Sequence, residues 1–143
     1  MSRASVLGDA IVADLNDQNF GIAFVAVRKY HAAYAVKDLK RLAVTVMIPG
    51  MTHEVISRGG NQDNTTITIV FQKHCNPEDN NTVDPLTDLV EEVADYFRDK
   101  NYGGSYWVAP TVIMPFYDLK DMVDDRVFSS AIRLTYRTVW RGA

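Results

Sequence analysis

Cysteine and long apolar runs are the first features that this sequence lacks. Cys75 is its single cysteine among 143 residues, so no disulfide can form within the chain, and we expect synthesis in a reducing compartment. No apolar run approaches the ~18 residues that a membrane-spanning helix needs. The first residues also lack the basic-then-apolar layout of a signal peptide. We therefore expect no membrane partner.

The chain also lacks an excess of basic residues. Its formal net charge is −3, with 15 Lys and Arg against 18 Asp and Glu, whereas a dedicated nucleic-acid-binding domain is usually basic. Low-complexity tracts and internal repeats are missing as well. A composition of 47% hydrophobic and 23% charged residues is that of an ordinary globular protein. Residues 1–143 are thus most simply one domain.

Motifs that would carry catalysis or bind a metal are missing too. The candidates are His31, His53, His74 and Cys75, and none of them has the spacing of C-x-x-C, H-x-x-x-H or H-E-x-x-H. His74 and Cys75 are adjacent, so in an extended segment they point to opposite sides. The glycines form neither G-x-G-x-x-G nor a P-loop. We expect no catalytic residue, no metal and no cofactor, although a catalytic Cys75 with a distant histidine remains an open alternative.

Two groups of acidic residues have a simpler interpretation than a paired-carboxylate or calcium site. The first group lies on the helix face opposite the apolar residues, and such a face is usually exposed to solvent. The second group lacks the D-x-D-x-D-G pattern of a calcium loop, which favours an acidic turn. The groups are Asp88, Glu91, Glu92 and Asp95, and Asp118, Asp121, Asp124 and Asp125.

The best-specified element is a helix over Asp84–Lys100. Its apolar residues recur at the i, i+3, i+4, i+7 spacing of one helix face. We predict that Asp84 caps the first turn, that Pro85 occupies the first helical position, and that Gly103 and Gly104 end the helix. The apolar residues are Leu86, Leu89, Val90, Val93, Ala94 and Phe97.

The remaining elements predict an α+β fold in the order α-β-β-β-α-β-β. Apolar and polar residues alternate in several segments, which is typical of half-buried strands. Short turns between the strands favour a mainly antiparallel sheet with both helices packed on one face. The elements are a first helix Ser5–Leu15, strands Ile22–Tyr30, Leu42–Ile48, Asn64–Lys73 and Tyr106–Phe116, a short helical turn at Leu119–Val123, and a last strand with Phe128, Ile132, Leu134, Tyr136 and Trp140 facing inward.

Two features of the predicted sheet bear on interactions. Turn-forming residues at Pro49-Gly50, Gly59-Gly60 and Asn61–Asn64 enclose Met51–Arg58, which predicts a long hairpin that projects from the body. Prolines at positions 110 and 115 cannot donate to a strand ladder, so the Tyr106–Phe116 strand is expected at an edge of the sheet or broken.

With these elements placed, the chain resembles phage head–tail joining proteins of the tail-terminator type. Element order and hydrophobic pattern carry the resemblance, and it spans most of the chain. The matching residues are Phe24–Tyr30, Leu42–Val46, Ser57-Arg58-Gly59, Phe71-Gln72-Lys73, Asp88–Asp95 and Leu134–Arg137.

The resemblance implies a structural virion protein that forms a homo-oligomeric ring, usually a hexamer, in the tail or neck after assembly in the host cytoplasm. Such a ring caps the tail tube protein, meets the head-side connector or stopper protein, and lets DNA pass without specific binding. Six copies would carry about −18 charges, which suits a channel along which DNA slides. The interface residues that we predict are Met51, His53, Val55, Ile56, Arg58, Tyr106, Trp107, Phe116 and Tyr117.

Two alternatives remain at this stage. One is a head-completion or stopper protein, one layer nearer the capsid. The other is a small hydrolase or nuclease that uses Cys75, a histidine or the acidic turn.

Overall fold

Three α-helices and one five-stranded sheet form the part of the chain that the structure, a computed structural model, describes, namely residues 2–32 and 36–141. The α+β class and the mainly antiparallel sheet are confirmed. In chain order the elements are α1 Arg3–Asp17, β1 Ala26–Arg28, a short 3₁₀ helix Val36–Lys40, β2 Ala43–Ser57, β3 Gly60–His74, α2 Asn80–Tyr96, β4 Ser105–Ile113, α3 Leu119–Asp125 and β5 Val127–Arg141.

The sheet has the spatial order β1-β2-β3-β5-β4. β2, β3, β5 and β4 pair antiparallel, whereas β1 pairs parallel with β2. The parallel pair arises because β1 and β2 are joined by a long connection with the 3₁₀ helix, and not by a tight turn. The Asn16 side chain holds β1 in place, since its Oδ1 accepts from the Ala26 N–H (2.7 Å) and its Nδ2 donates to the Ala26 carbonyl (3.1 Å).

One face of the sheet carries the main core, and both long helices lie on it, as predicted. The alternation along each strand places one set of side chains against the helices, and these residues form one buried cluster. From the strands the cluster includes Val44, Val46, Ile67, Ile69, Phe71, Phe128, Ile132, Leu134 and Tyr136, and from the helices Leu7, Ile11, Leu15, Leu86, Leu89, Val90 and Val93. The predicted apolar face of α2 is therefore confirmed, as are the inward positions of Phe128, Ile132, Leu134 and Tyr136 on β5.

The first turn of α2 differs from the prediction. The helix begins at Asn80, and its N-cap is Asp79, whose Oδ1 accepts from the Asn81 N–H at 3.0 Å. Asp84 is therefore not the cap, and Pro85 lies inside the helix. The early turn is polar, so it carries no apolar periodicity that would reveal it. Pro85 is tolerated because it removes one backbone bond near the exposed start of the helix.

The end of α2 also differs. The helix ends at Tyr96, with Phe97 as C-cap, seven residues before the predicted stop at Gly103. Gly103 and Gly104 instead form a tight turn between Tyr102 and Ser105, which bond each other through both backbone groups at 2.9 Å. Gly103 takes a left-handed φ of 56° there, a conformation that glycine adopts without cost.

Several strand boundaries are corrected as well. β1 covers three residues of the predicted Ile22–Tyr30 strand. Pro49-Gly50 is not a turn but part of a register shift within a continuous β2. Asn61–Asn64 likewise belongs to β3. The register shift adds one residue to β2 without ending the ladder, so the inward positions change from Val44 and Val46 before it to Met51 and His53 after it.

The predicted hairpin exists, with its turn at Arg58-Gly59, but it does not project alone. β5 pairs with β3 along the whole strand, from His74–Val127 to Gly60–Arg141. The projection is therefore a three-stranded extension of the sheet. β4 lies at the sheet edge, as the prolines predict, and ends at Ile113, before Phe116.

The two faces of α2 provide a direct test of this packing. Leu89 is 2% exposed in the main core, so we expect Leu89→Ala to lower the free energy of unfolding by ~2–5 kcal/mol. Asp88 is exposed on the opposite face, and Asp88→Ala should change it by no more than ~0.5 kcal/mol. Urea denaturation followed by circular dichroism measures both, and equal effects would show that the faces are assigned wrongly.

Candidate interaction surfaces

The structure places the nine predicted interface residues in three separate regions. Met51, His53, Val55, Ile56 and Arg58 lie along the outer half of β2 and its turn. Tyr106 and Trp107 lie on β4, and Phe116 and Tyr117 lie in the connection from β4 to α3. Six of the nine are exposed, and Met51, Trp107 and Phe116 are partly buried, but the structure does not bring the nine together into one surface.

The outer end of the sheet carries a small apolar surface, which we call the tip: Val55, Ile56, Arg58 and Val139. Val55 is 79% exposed, Val139 is 51% exposed and Ile56 is 49% exposed. Arg58 is exposed in the turn beside them and forms no ion pair with a described residue. Val55 pairs with Asn61 of β3, on the face that carries the helices, whereas Val139 pairs with Gln62, on the opposite face. The tip therefore exposes aliphatic side chains on both faces of the sheet end.

A buried carboxylate fixes the sheet directly behind the tip. Asp63 of β3 is 1% exposed, and its carboxylate accepts from Arg3 Nε (2.9 Å), from Trp140 Nε1 (3.0 Å) and from His53 Nδ1 (2.5 Å). The Arg3 guanidinium also lies 4.2 Å from the centre of the Trp140 ring. Asp63 thus joins the start of α1, β2 and β5 at one point. His53, a predicted interface residue, belongs to this cluster.

Burial alone would raise the pKa of Asp63, but the hydrogen bonds from His53, Trp140 and Arg3 outweigh it and lower the pKa below 3.8. The charged form is therefore the stable one in the folded protein. The sequence offered no signal for this cluster, because its members are distant along the chain and meet only when the sheet forms.

The two β4 residues have different environments. Tyr106 is 52% exposed on the face that is opposite to the helices, where it pairs with Arg137. Trp107 points to the helix side, packs against the core and donates from Nε1 to Thr111 Oγ1 at 2.9 Å. Tyr106 is therefore available for contact, whereas Trp107 contributes to the fold.

A groove lies at the other end of the sheet, between the first turns of α2 and α3. We call it the α2–α3 groove, and its volume is about 690 Å³, within the range of ~300–1,000 Å³ that is usual for binding pockets. Its apolar lining is Val83, Tyr117, Leu119, Met122 and Val123, and its acidic rim is Glu78, Asp84 and Asp124. Leu119 and Val123 are 64% and 63% exposed. The predicted residue Tyr117 lies in this groove.

The acidic turn crowds carboxylates beside the groove. Burial raises the pKa of Asp121, and the nearby charges of Asp118, Asp125 and Asp124 raise it further, while Lys120 opposes them. Arg126 is the basic residue of the lining, and it donates to Asn76 Oδ1 at 3.0 Å. The groove therefore combines an apolar floor with a negative rim.

A second polar cluster, which is partly buried, lies between α1, the end of α2 and β5. The Asp14 carboxylate accepts from Tyr96 (2.6 Å) and from Tyr102 (2.5 Å), and Lys100 lies 4.0 Å away. Burial raises the pKa of both tyrosines, and the hydrogen bonds to Asp14 raise it further. The Tyr136 hydroxyl is buried near Tyr102 but makes no hydrogen bond to any described residue.

The residues that the sequence singled out for chemistry remain dispersed. Cys75 is buried, and burial raises the pKa of its thiol, which disfavours the reactive thiolate. The adjacent His74 is exposed, on the opposite side as predicted. Within residues 2–32 and 36–141, no three His, Cys, Asp or Glu side chains are placed to hold a metal ion.

Among the described helices, none has both the length and the apolar character that crossing a membrane requires.

A comparison with protein-family models found no match for this chain, and a comparison with curated proteins found none either.

The Asp63 cluster predicts a pH dependence. Because the folded pKa of Asp63 is lowered, its contribution to stability is complete above pH 3.8 and is lost as the pH falls through the folded pKa. At about pH 6 we expect Asp63→Asn to lower the free energy of unfolding by about 1.5–3 kcal/mol, since it weakens hydrogen bonds to a charged group. Urea denaturation should show this difference shrinking below about pH 4. A difference that stays constant to about pH 2 would contradict the assignment; Asp9→Asn, at the exposed pair with Arg28, serves as control.

The two buried tyrosine hydroxyls predict opposite outcomes for one substitution. Tyr102→Phe leaves one oxygen of the Asp14 carboxylate without its donor and should cost ~1–3 kcal/mol. Tyr136→Phe removes a hydroxyl that bonds to no described residue and should be neutral or stabilising. Thermal unfolding compares the two variants, and a larger cost for Tyr136→Phe would contradict the described hydrogen bonds.

Proposed function

We propose that this chain is a structural virion protein of the tail-terminator type, which forms a ring, in our reading a hexamer, at the end of the phage tail tube. The observation that carries the proposal is the presence of two exposed apolar surfaces at opposite ends of one sheet. The α2–α3 groove lies at the start of β5 and the tip lies at its end. Copies that associate through two different surfaces form rings when the rotation closes.

The distance between the two surfaces supports this arrangement. β5 spans Val127–Arg141 without a break, and a strand rises ~3.4 Å per residue, so its ends are about 45–50 Å apart. One copy cannot bring its own tip to its own groove. Each surface is therefore available to another molecule, and large exposed apolar residues on a folded chain favour such contacts.

The charge of the chain is compatible with DNA passage. The net charge is −3, and the exposed face of α2 presents Asp88, Glu91 and Asp95. An acidic surface repels the DNA backbone and lets it slide without specific binding. In this proposal the partners are the tail tube protein on one side and the head-side connector or stopper protein on the other, and the ring resides in the virion after assembly in the host cytoplasm. No enzymatic step is part of it.

The assembly state in solution tests the proposal. Size-exclusion chromatography with light scattering should give a discrete particle at about six times the 16.1 kDa subunit mass, and negative-stain microscopy should show rings. A chain that stays monomeric at high concentration, and also fails to bind isolated tail tubes, would overturn the proposal.

A binding comparison separates the terminator from the stopper. Purified ring is mixed with tail tubes lacking their terminator and, separately, with capsids carrying the portal and its adaptor. If the chain is a terminator, the ring should bind the tail tubes. If the ring binds only the capsids, the chain is instead a stopper protein, one layer nearer the head.

A further inference from the structure

We propose that the tip of one copy seats in the α2–α3 groove of the next copy. This inference rests on the proposed ring and names the contact that closes it. The occupant of the groove is thus a second copy of this chain, not a small molecule and not another virion protein.

The tip has the shape and composition of an inserted element. It ends in a tight turn at Arg58-Gly59, with Gly59 at a φ of 78°, so its end is narrow. Val55 and Ile56 point outward just before the turn and are largely exposed. The Asp63 cluster holds the three strands together behind them. Because the tip is already ordered, its insertion loses little conformational entropy.

The groove has the complementary properties. Leu119 and Val123 of α3 expose most of their surface along a cleft of about 690 Å³, which is large enough for two aliphatic side chains and part of a turn. Val83 and Met122 continue the apolar lining inward. Covering these residues with Val55 and Ile56 of a neighbour would remove apolar surface from water on both copies.

The charges of the two surfaces are also complementary. Arg58 lies at the turn of the tip, and Glu54 is the acidic residue nearest to it on β2. Arg137 of β5 lies further back along the sheet, where it donates to Asn64. The groove rim has Glu78, Asp84 and Asp124, which form no ion pair with a described residue. Its one basic lining residue, Arg126, donates to Asn76, so carboxylates outnumber cations there by three to one. A cationic tip relieves the repulsion among these carboxylates. If two tips or two grooves contacted each other instead, like charges would face like charges.

A pair of cysteines tests the contact in the full chain. In the variant Val55→Cys with Val123→Cys, both new thiols lie at exposed positions, so folding should be retained. The native Cys75 is 4% exposed and should not compete. A disulfide within one copy is impossible, because the two positions lie at opposite ends of the sheet. The matched control is Val55→Cys with Val25→Cys, since Val25 is 74% exposed, lies just before β1 and is not part of the groove lining.

After mild oxidation, non-reducing electrophoresis should show a ladder of covalent dimers and higher species for the groove pair, which reductant abolishes. We expect about tenfold more cross-linked chain than in the control, because docking raises the effective concentration of the two thiols. The same oxidation is performed in solution and on tail tubes.

The outcomes separate this inference from the proposed function. A wild-type ring whose groove pair cross-links no better than the control, in solution and on tubes, overturns the contact and leaves the ring proposal standing. If the wild-type chain neither forms a ring nor binds tail tubes, both the contact and the proposed function are overturned. A Val123→Cys single variant that cross-links to a tail-tube or connector protein, and not to a second copy, also overturns this inference.

Discussion

The uninterrupted pairing of β3 with β5 is the constraint on which the rest of the molecule depends. These strands stay in register from His74–Val127 to Gly60–Arg141, and the main core under the helices includes β5 residues from Phe128 to Tyr136. Beyond this core, the buried Asp63 carboxylate fixes the outer end of the sheet, because it bonds side chains from the start of α1, from β2 and from β5. The sheet is consequently long and ordered to its end. It separates the tip from the α2–α3 groove.

Sequence periodicity predicted the fold wherever one face of an element is buried. The six apolar residues expected on α2 are all buried, because a helix that lies on a sheet shows its contact face as a 3.6-residue repeat. The early turn of α2 was missed because Asn80, Asn81 and Thr82 are polar and capping by Asp79 leaves no periodic trace. The parallel partner of β2 was missed because strand direction depends on the path of the connection, which hydrophobic pattern does not encode.

The interaction surfaces were predictable only in part. Exposure of Val55 and Ile56 followed from their place beside a turn-rich segment, and both are exposed. The groove was not predictable, since it exists only where α2 and α3 meet, more than thirty residues apart in the sequence. The same holds for Arg3 and Asp63. Local pattern identifies which face of an element is buried, but it does not show which separate elements come together.

The mass of a mixture of two variants tests the head-to-tail account most directly. A tip variant, Val55→Asp with Ile56→Asp, keeps an intact groove, and a groove variant, Leu119→Asp with Val123→Asp, keeps an intact tip; all four positions are exposed. Each variant alone should be monomeric by light scattering. Mixed in equal amounts, they share one working contact, so the account predicts a particle of two copies that grows no further. A mixture that forms the full ring or stays monomeric, or a single variant that keeps the wild-type mass, would contradict it.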